Sequence, residues 1–208
     1  MKDLPLKNDL TFQQGLLGFN AMLPALLTAW DWRRGQLGAN PIEFITRASG
    51  IMALVLLVLT LLVTPLRKLC GWSWLLKLRR NLGLYAFYYG LLHLVIYVVF
   101  DRNFSLLSVP GDVWGRPFIA VGMLAFVLMI PLAVTSTNAM IKKLGGRRWA
   151  QLHRLTYLII IGGVVHYWMI VKSDIRWPLF FGVITAALLG YRLVEALKKK
   201  IPTPASAG

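Results

Sequence analysis

The three histidines of this 208-residue chain all lie in strongly apolar stretches. His93 lies in GLLHLVIY, and His153 and His166 lie thirteen residues apart in LHRLTYLIIIGGVVHYW. Placing an imidazole in an apolar environment costs free energy, so a histidine inside a membrane span is a functional candidate by default. Neutral imidazole is also a strong iron ligand, and helical bundles commonly hold cofactors between facing side chains. Haem binding is therefore the first chemistry to test against the rest of the sequence.

The composition points to a membrane protein. Hydrophobic residues make up 57% of the chain, charged residues only 15%, and the mean hydropathy is +0.63. The excess lies in long runs instead of an alternating pattern, as expected for membrane spans. A net charge of +15 could indicate nucleic acid, but the basic residues cluster at the ends of apolar runs and no nucleic-acid-binding motif is present. The basic excess is therefore interpreted as membrane topology.

The apolar runs predict six helices, each near the twenty residues or so that cross about 30 Å of hydrocarbon. We predict an all-α integral membrane bundle of six transmembrane helices, forming a single domain over residues 1–200 with a disordered tail at 201–208. The predicted helices cover residues 13–32, 47–66, 80–100, 116–136, 149–171 and 177–195.

Lysine and arginine set the predicted orientation, because positive residues concentrate on the cytoplasmic side. One side of the predicted bundle carries 15 of them and the other side seven. Both termini are therefore predicted to be cytoplasmic. Tryptophans lie near the opposite ends of the helices, as in an aromatic belt; they are Trp30, Trp32, Trp114, Trp168 and Trp177.

This topology places two of the histidines at one depth. His93 and His166 each lie about 20 Å from the cytoplasmic end of their helix, at 1.5 Å per residue. Two imidazoles at one level on different helices can hold an iron porphyrin between them, and the absence of Cys-x-x-Cys-His indicates b-type haem. Glycines lie one turn before each histidine, where a porphyrin edge needs space; they are Gly90, Gly162 and Gly163.

The third histidine does not fit the same arrangement. On an ideal helix His153 and His166 point about 140° apart, so they do not form one stripe unless the Gly162–Gly163 region is irregular. His153 could serve a second, inner haem, a flavin, or only the helix end. Arg80 lies at the start of the third predicted helix, at the same predicted cytoplasmic end of the bundle as His153. It could bind a haem propionate or a flavin phosphate, although a positive-inside anchor is the more common role.

Structural explanations remain open for each of these residues. Histidines can hydrogen-bond across helices, and small residues let helices pack closely without any cofactor. A transporter or an assembly scaffold with hydrogen-bonding or proton-relay histidines is therefore the alternative function. No Asp or Glu lies at mid-depth in the predicted spans, whereas proton-coupled transporters commonly use such groups.

Several blocks in order and at matching spacing resemble the MsrQ (YedZ) family, the haem-binding membrane subunits of the bacterial periplasmic methionine sulfoxide reductase system, in the ferric reductase-like transmembrane group. The blocks are RRNLGLYAF (79–87), LLHLVIY (91–97), GRPFIAVG (115–122), TSTNAM (135–140), RRWAQLHRLTYL (147–158) and VVHYW (164–168).

The resemblance implies haem ligation by His93, His166 and His153, with one haem b and a second left open. It implies a multi-pass protein of the bacterial inner membrane, an electron-transfer subunit distinct from the catalytic one. Electrons would come from the quinone pool or a cytosolic flavin reductase and go to a periplasmic molybdopterin-containing methionine sulfoxide reductase, for repair of oxidised periplasmic proteins. Some members hold FMN, so FMN binding is also left open. The chain departs from the larger ferric reductases in having a single histidine on the third helix.

Overall fold

In a computed structural model, residues 9–198 are described, and they form helices and connecting turns with no strand. The all-α prediction is confirmed over this range. The predicted tail at 201–208 lies outside the described residues. The helices are α1 (Leu10–Arg33), α2 (Pro41–Cys70), α3 (Arg79–Ile96), α4 (Val109–Gly115), α5 (Pro117–Val134), α6 (Asn138–Leu144), α7 (Gly146–Leu152), α8 (Thr156–Ile170) and α9 (Arg176–Lys198).

A long helical segment occupies each of the six predicted positions. Four of these are long and apolar enough to cross a membrane, namely α2, α3 with its continuation to Asp101, α5 and α9. Among the residues described, α1 and the α7–α8 segment do not meet that criterion. Membrane crossing by these two, and the cytoplasmic position of both termini, stay predictions.

Local chemistry explains where the central helices begin. The Asn40 side chain accepts a hydrogen bond from the backbone N–H of Glu43, at 3.2 Å, and Pro41 follows it at the first helical position. Both features favour a helix start, because they satisfy or remove N–H groups that lack an intrahelical partner. Pro117 has the same role at the start of α5. Both helices therefore begin at the side of the bundle predicted to be periplasmic.

Within the predicted spans, two departures from regular α-helix were not predicted. The last turn of the α3 segment, Tyr97–Asp101, is π-helical, and a 3-10 turn at His153–Leu155 separates α7 from α8. The irregularity considered at Gly162–Gly163 is absent, since both glycines lie inside α8. The condition under which His153 and His166 would form one stripe is therefore not met at these glycines, and the break in the predicted fifth helix lies at His153 itself.

Helix pairing brings the histidine-bearing helices into contact with two others. α2 packs mainly on α3, and α5 packs mainly on α8. The buried apolar cluster draws on α2, α3, α5, α8 and α9, with Leu61 and Ala86 at its most buried positions. Burial of this cluster fixes the two helix pairs against each other, and therefore fixes α3 relative to α8.

Candidate functional site

Two histidine side chains meet inside the bundle. The ring centroids of His93, on α3, and His166, on α8, lie 6.1 Å apart, and the ring planes are nearly perpendicular at 86°. Both residues are partly buried. The structure thus places at one site the two imidazoles that the sequence placed at one depth.

A backbone carbonyl fixes the protonation of His93. Its Nδ1 lies 2.9 Å from the carbonyl oxygen of Thr46, on α2. A carbonyl oxygen only accepts hydrogen bonds, so Nδ1 must carry the proton. In the neutral ring Nε2 then keeps its lone pair and can bind a metal.

His166 is held in the same way by another helix. Its Nδ1 lies 2.6 Å from the carbonyl oxygen of Phe118, in the first turn of α5. The proton is again on Nδ1, which leaves Nε2 as the available ligand. Histidines that bind metals commonly donate their other N–H to a carbonyl or a carboxylate, and this contact orients the ring.

Glycines make both contacts sterically possible. A Cβ atom added to Gly50 would lie 3.2 Å from the His93 ring, and one added to Gly122 would lie 2.7 Å from the His166 ring. Each glycine lies four residues after the carbonyl that its histidine contacts, so carbonyl and glycine share one helix face. We call Thr46 with Gly50, and Phe118 with Gly122, the two imidazole seats.

The spacing of the rings suits a single metal between them. Nitrogen ligands bind first-row metals at about 2 Å, and an imidazole nitrogen lies about 1.2 Å from its ring centre, so two imidazoles that share one metal would have ring centroids about 6 Å apart. The observed separation of 6.1 Å matches this requirement. With a porphyrin supplying the other four nitrogens, the two imidazoles would complete the coordination of a haem iron.

The glycines singled out in the sequence contact protein neighbours. A Cβ on Gly162 would lie 3.3 Å from the Ala125 side chain, and one on Gly163 would lie 3.4 Å from Leu54. A Cβ on Gly90 would lie 3.5 Å from the Phe126 ring and 3.6 Å from the Met129 sulfur. These contacts are those of close helix packing. Cofactor contact by Gly162 and Gly163 stays a prediction.

His153 lies in a different environment. Its ring stacks on that of Trp149, with centroids 4.0 Å apart, and its Nε2 lies 3.2 Å from Thr135 Oγ1. The Thr135 hydroxyl donates to the carbonyl oxygen of Pro131 at 2.6 Å, so it must accept from His153. The proton of His153 is then on Nε2, and Nδ1 is the nitrogen with the free lone pair. This is the reverse of the arrangement at His93 and His166.

Arg80 joins two helices at the same end of the bundle. Its Nη1 donates to Asn138 Oδ1, at 2.6 Å, which ties the start of α3 to the start of α6. Both side chains are exposed. This contact uses one nitrogen of the guanidinium. Recognition of a propionate or a phosphate by its other nitrogens stays a prediction.

Comparison with known proteins identifies close relatives over nearly the whole chain. A family model described as "Ferric reductase like transmembrane component" matches residues 49–164. A protein of Herminiimonas arsenicoxydans named "Protein-methionine-sulfoxide reductase heme-binding subunit MsrQ" is 49% identical, covering 98% of this chain and 94% of the relative. Proteins with the same name are 47% identical in Azospira oryzae, covering 96% of this chain and 86% of the relative, and 46% identical in Rhodospirillum rubrum, covering 86% of each.

Proposed function

Since this chain belongs to the MsrQ family, we propose that it is a membrane b-type cytochrome subunit that holds haem between His93 and His166. The relatives are named as heme-binding subunits of protein-methionine-sulfoxide reductase. The observation that carries the proposal for this chain is the pair of imidazoles at 6.1 Å, each with Nδ1 turned to a carbonyl and Nε2 left free.

The residues of the chain supply ligands, orientation and a dry environment. His93 and His166 would each offer Nε2 to the iron, while the carbonyls of Thr46 and Phe118 hold the rings in the required tautomer. Bound haem iron carries one electron at a time between its ferric and ferrous states. The helices around the site are apolar and the two histidines are partly buried, and burial is one of the factors that set the reduction potential of a haem.

The proposed route of electrons crosses the bacterial inner membrane. We propose six spans with both termini cytoplasmic, in one haem-binding domain over residues 1–200. Electrons enter from quinol or a cytosolic flavin reductase and leave to a periplasmic molybdopterin-containing methionine sulfoxide reductase that repairs oxidised proteins. The chain itself then transfers electrons, and catalysis belongs to its partner.

The inner site around His153 is proposed as a second cofactor position. The free Nδ1 of His153 and the stacked Trp149 ring suit a second haem or FMN, with Arg80 at the same end of the bundle. An aromatic side chain can stack on a flavin or porphyrin ring, and a basic side chain can bind a flavin phosphate or haem propionates.

An optical and iron titration of the purified protein tests the proposal. We expect a sharp Soret band that shifts on reduction, with at least one haem per chain. A colourless, iron-free preparation from haem-replete cells would refute the cytochrome and favour the transporter or scaffold, in which the histidines only bond across helices. Haem per chain also decides between one and two haems.

A further inference from the structure

The two imidazole seats differ in the residue that precedes the glycine. This residue is Ser49 beside the seat of His93 and Val121 beside the seat of His166. Ser49 lies three residues after Thr46, and Val121 lies three residues after Phe118, so they occupy equivalent helical positions. A hydroxyl group therefore lies beside the first seat, and an apolar side chain occupies the equivalent position beside the second.

The Ser49 hydroxyl competes with His93 for one carbonyl oxygen. Ser49 Oγ donates to the Thr46 oxygen at 2.9 Å, and the same oxygen receives His93 Nδ1 at 2.9 Å. In a helix that oxygen also accepts the N–H of residue 50, and a carbonyl has only two lone pairs. Three donors thus share two acceptor positions.

Ser49 does not act as a direct partner of the imidazole. The distance from Ser49 Oγ to His93 Nδ1 is 3.4 Å, beyond the usual range of about 2.7–3.2 Å for an N–H···O bond. The contact between Ser49 and Thr46 is of ordinary length for O–H···O. The Ser49 hydroxyl therefore acts mainly by competing for the Thr46 carbonyl oxygen, and accepts little or no hydrogen bond from His93.

The second seat has no such competitor. His166 Nδ1 lies only 2.6 Å from the Phe118 oxygen, and the residue three positions on is an apolar valine. The stronger the bond from Nδ1–H, the more basic the ligand nitrogen becomes and the better it stabilises ferric iron. His166 should be the more strongly donating of the two axial ligands.

We propose that Ser49 is a positioning residue whose hydroxyl weakens the bond between His93 and Thr46 and thereby raises the reduction potential of the haem. This inference rests on the proposed function, since it requires haem between His93 and His166. Ser49 is only 4% exposed, so no bulk water substitutes for its hydroxyl. A polar group that is shielded in this way exerts a larger electrostatic effect than an exposed one.

Four variants test the inference by spectroelectrochemical titration of the purified haem protein. Ser49→Ala removes the competitor, and we expect a lower midpoint potential, by about threefold in the ferric/ferrous equilibrium or about 28 mV at 59 mV per tenfold change. Val121→Ser adds a competitor to the Phe118 oxygen and should raise the potential. Val121→Ala is the matched control and should leave it unchanged.

Ser49→Thr keeps the hydroxyl and should retain the wild-type potential. A cavity of about 220 Å³ beside Ser49, lined also by Thr28, Met52 and Tyr89, gives room for the added methyl group. If Ser49 acted only through its packing, both Ser49→Thr and Ser49→Ala would change the midpoint potential.

An unchanged or raised potential in Ser49→Ala, or an equal fall in Val121→Ala, would overturn the inference. If Ser49→Ala binds no haem, the test is the midpoint potential of Val121→Ser. If that potential does not rise above the wild-type value, the inference is wrong. Absence of haem from the wild-type protein would instead refute the proposed function, so the two failures are distinct.

Discussion

A Cβ atom on Gly122 would lie 2.7 Å from both Nδ1 and Cε1 of His166, a distance that real Cβ contacts do not show. The imidazole ring lies directly against the helix backbone of α5, and only glycine permits this approach. The same arrangement recurs at Gly50 and His93, where the distance is 3.2 Å and the fit is less tight. The positions of both rings therefore depend on residues in helices that carry no histidine.

Gly122→Ala should abolish or strongly reduce haem binding, because the ring of His166 must move away from the Phe118 carbonyl. Gly50→Ala should cause a smaller loss, since displacement by a few tenths of an ångström relieves its contact. Haem per chain, from the pyridine haemochrome and the protein concentration, measures both effects.

Gly83→Ala is the matched control for these substitutions. Gly83 lies inside α3, and an added Cβ there would meet nothing within 4 Å. Alanine is favoured over glycine in helices by about 1 kcal/mol, so this variant should retain its haem and be at least as stable. Equal haem content in all three variants would contradict the two seats.

The two histidines proposed to bind the haem, His93 and His166, should be separable from His153. His93→Ala and His166→Ala should each lose the outer haem, because a single imidazole remains to bind the iron. His153→Ala should leave at least part of the spectrum, because its contacts are with Trp149 and Thr135, apart from the outer pair. Difference spectra of the reduced and oxidised proteins distinguish these results. Complete loss of haem in His153→Ala would contradict the division into two sites.

The sequence allowed prediction of the helices and of the outer pair for a simple geometric reason. A membrane span needs a long apolar run, and such runs are visible without knowledge of packing. A constant rise of 1.5 Å per residue then converts sequence position to depth, which placed His93 and His166 at one level.

The partners of the histidines could not be predicted in the same way. Depth does not give rotation about the helix axis, and α5 and α8 are apolar on nearly every side, so no amphipathic stripe orients them. The sequence predicted close approach at glycines on the histidine helices, whereas the close approach to the rings occurs at Gly50 and Gly122 on neighbouring helices. A glycine on a neighbouring helix, at the same depth as the histidine, was the sequence feature that could have indicated the partner of each ring. The 3-10 turn at His153–Leu155 contains no proline or glycine to indicate it.

The structure of the connection between α3 and α5 should depend on one carboxylate. Asp112 accepts a hydrogen bond from the Tyr97 hydroxyl at 2.5 Å and forms an ion pair with Arg102, and its side chain is only 12% exposed. A hydrogen bond to a charged group contributes about 1.5–3 kcal/mol. Asp112→Ala should therefore lower the Tm of the purified protein in detergent, measured by differential scanning fluorimetry.

Asp174→Ala provides the comparison at a solvent-exposed ion pair. Hydrogen bonds from Arg176 hold the pKa of the Asp174 carboxyl at about 2, so the pair is present at neutral pH and would be lost only as the pH falls towards that value. Exposed pairs nevertheless contribute little to stability. The Tm of Asp174→Ala should therefore stay close to that of the wild-type protein. Equal losses in the two variants would show that Asp112 has no special structural role.

The only cysteine of the chain is a native reporter of orientation. Cys70 is exposed at the end of α2, which the excess of positive residues predicts to lie at the cytoplasmic face. In intact spheroplasts a membrane-impermeant maleimide should leave Cys70 unlabelled, whereas inverted vesicles should be labelled. In a Cys70→Ser background, Leu107→Cys should react from outside, because Leu107 is 95% exposed in the connection between α3 and α5. Labelling of Cys70 from the outside would invert the topology and place the His93–His166 pair nearer the cytoplasm.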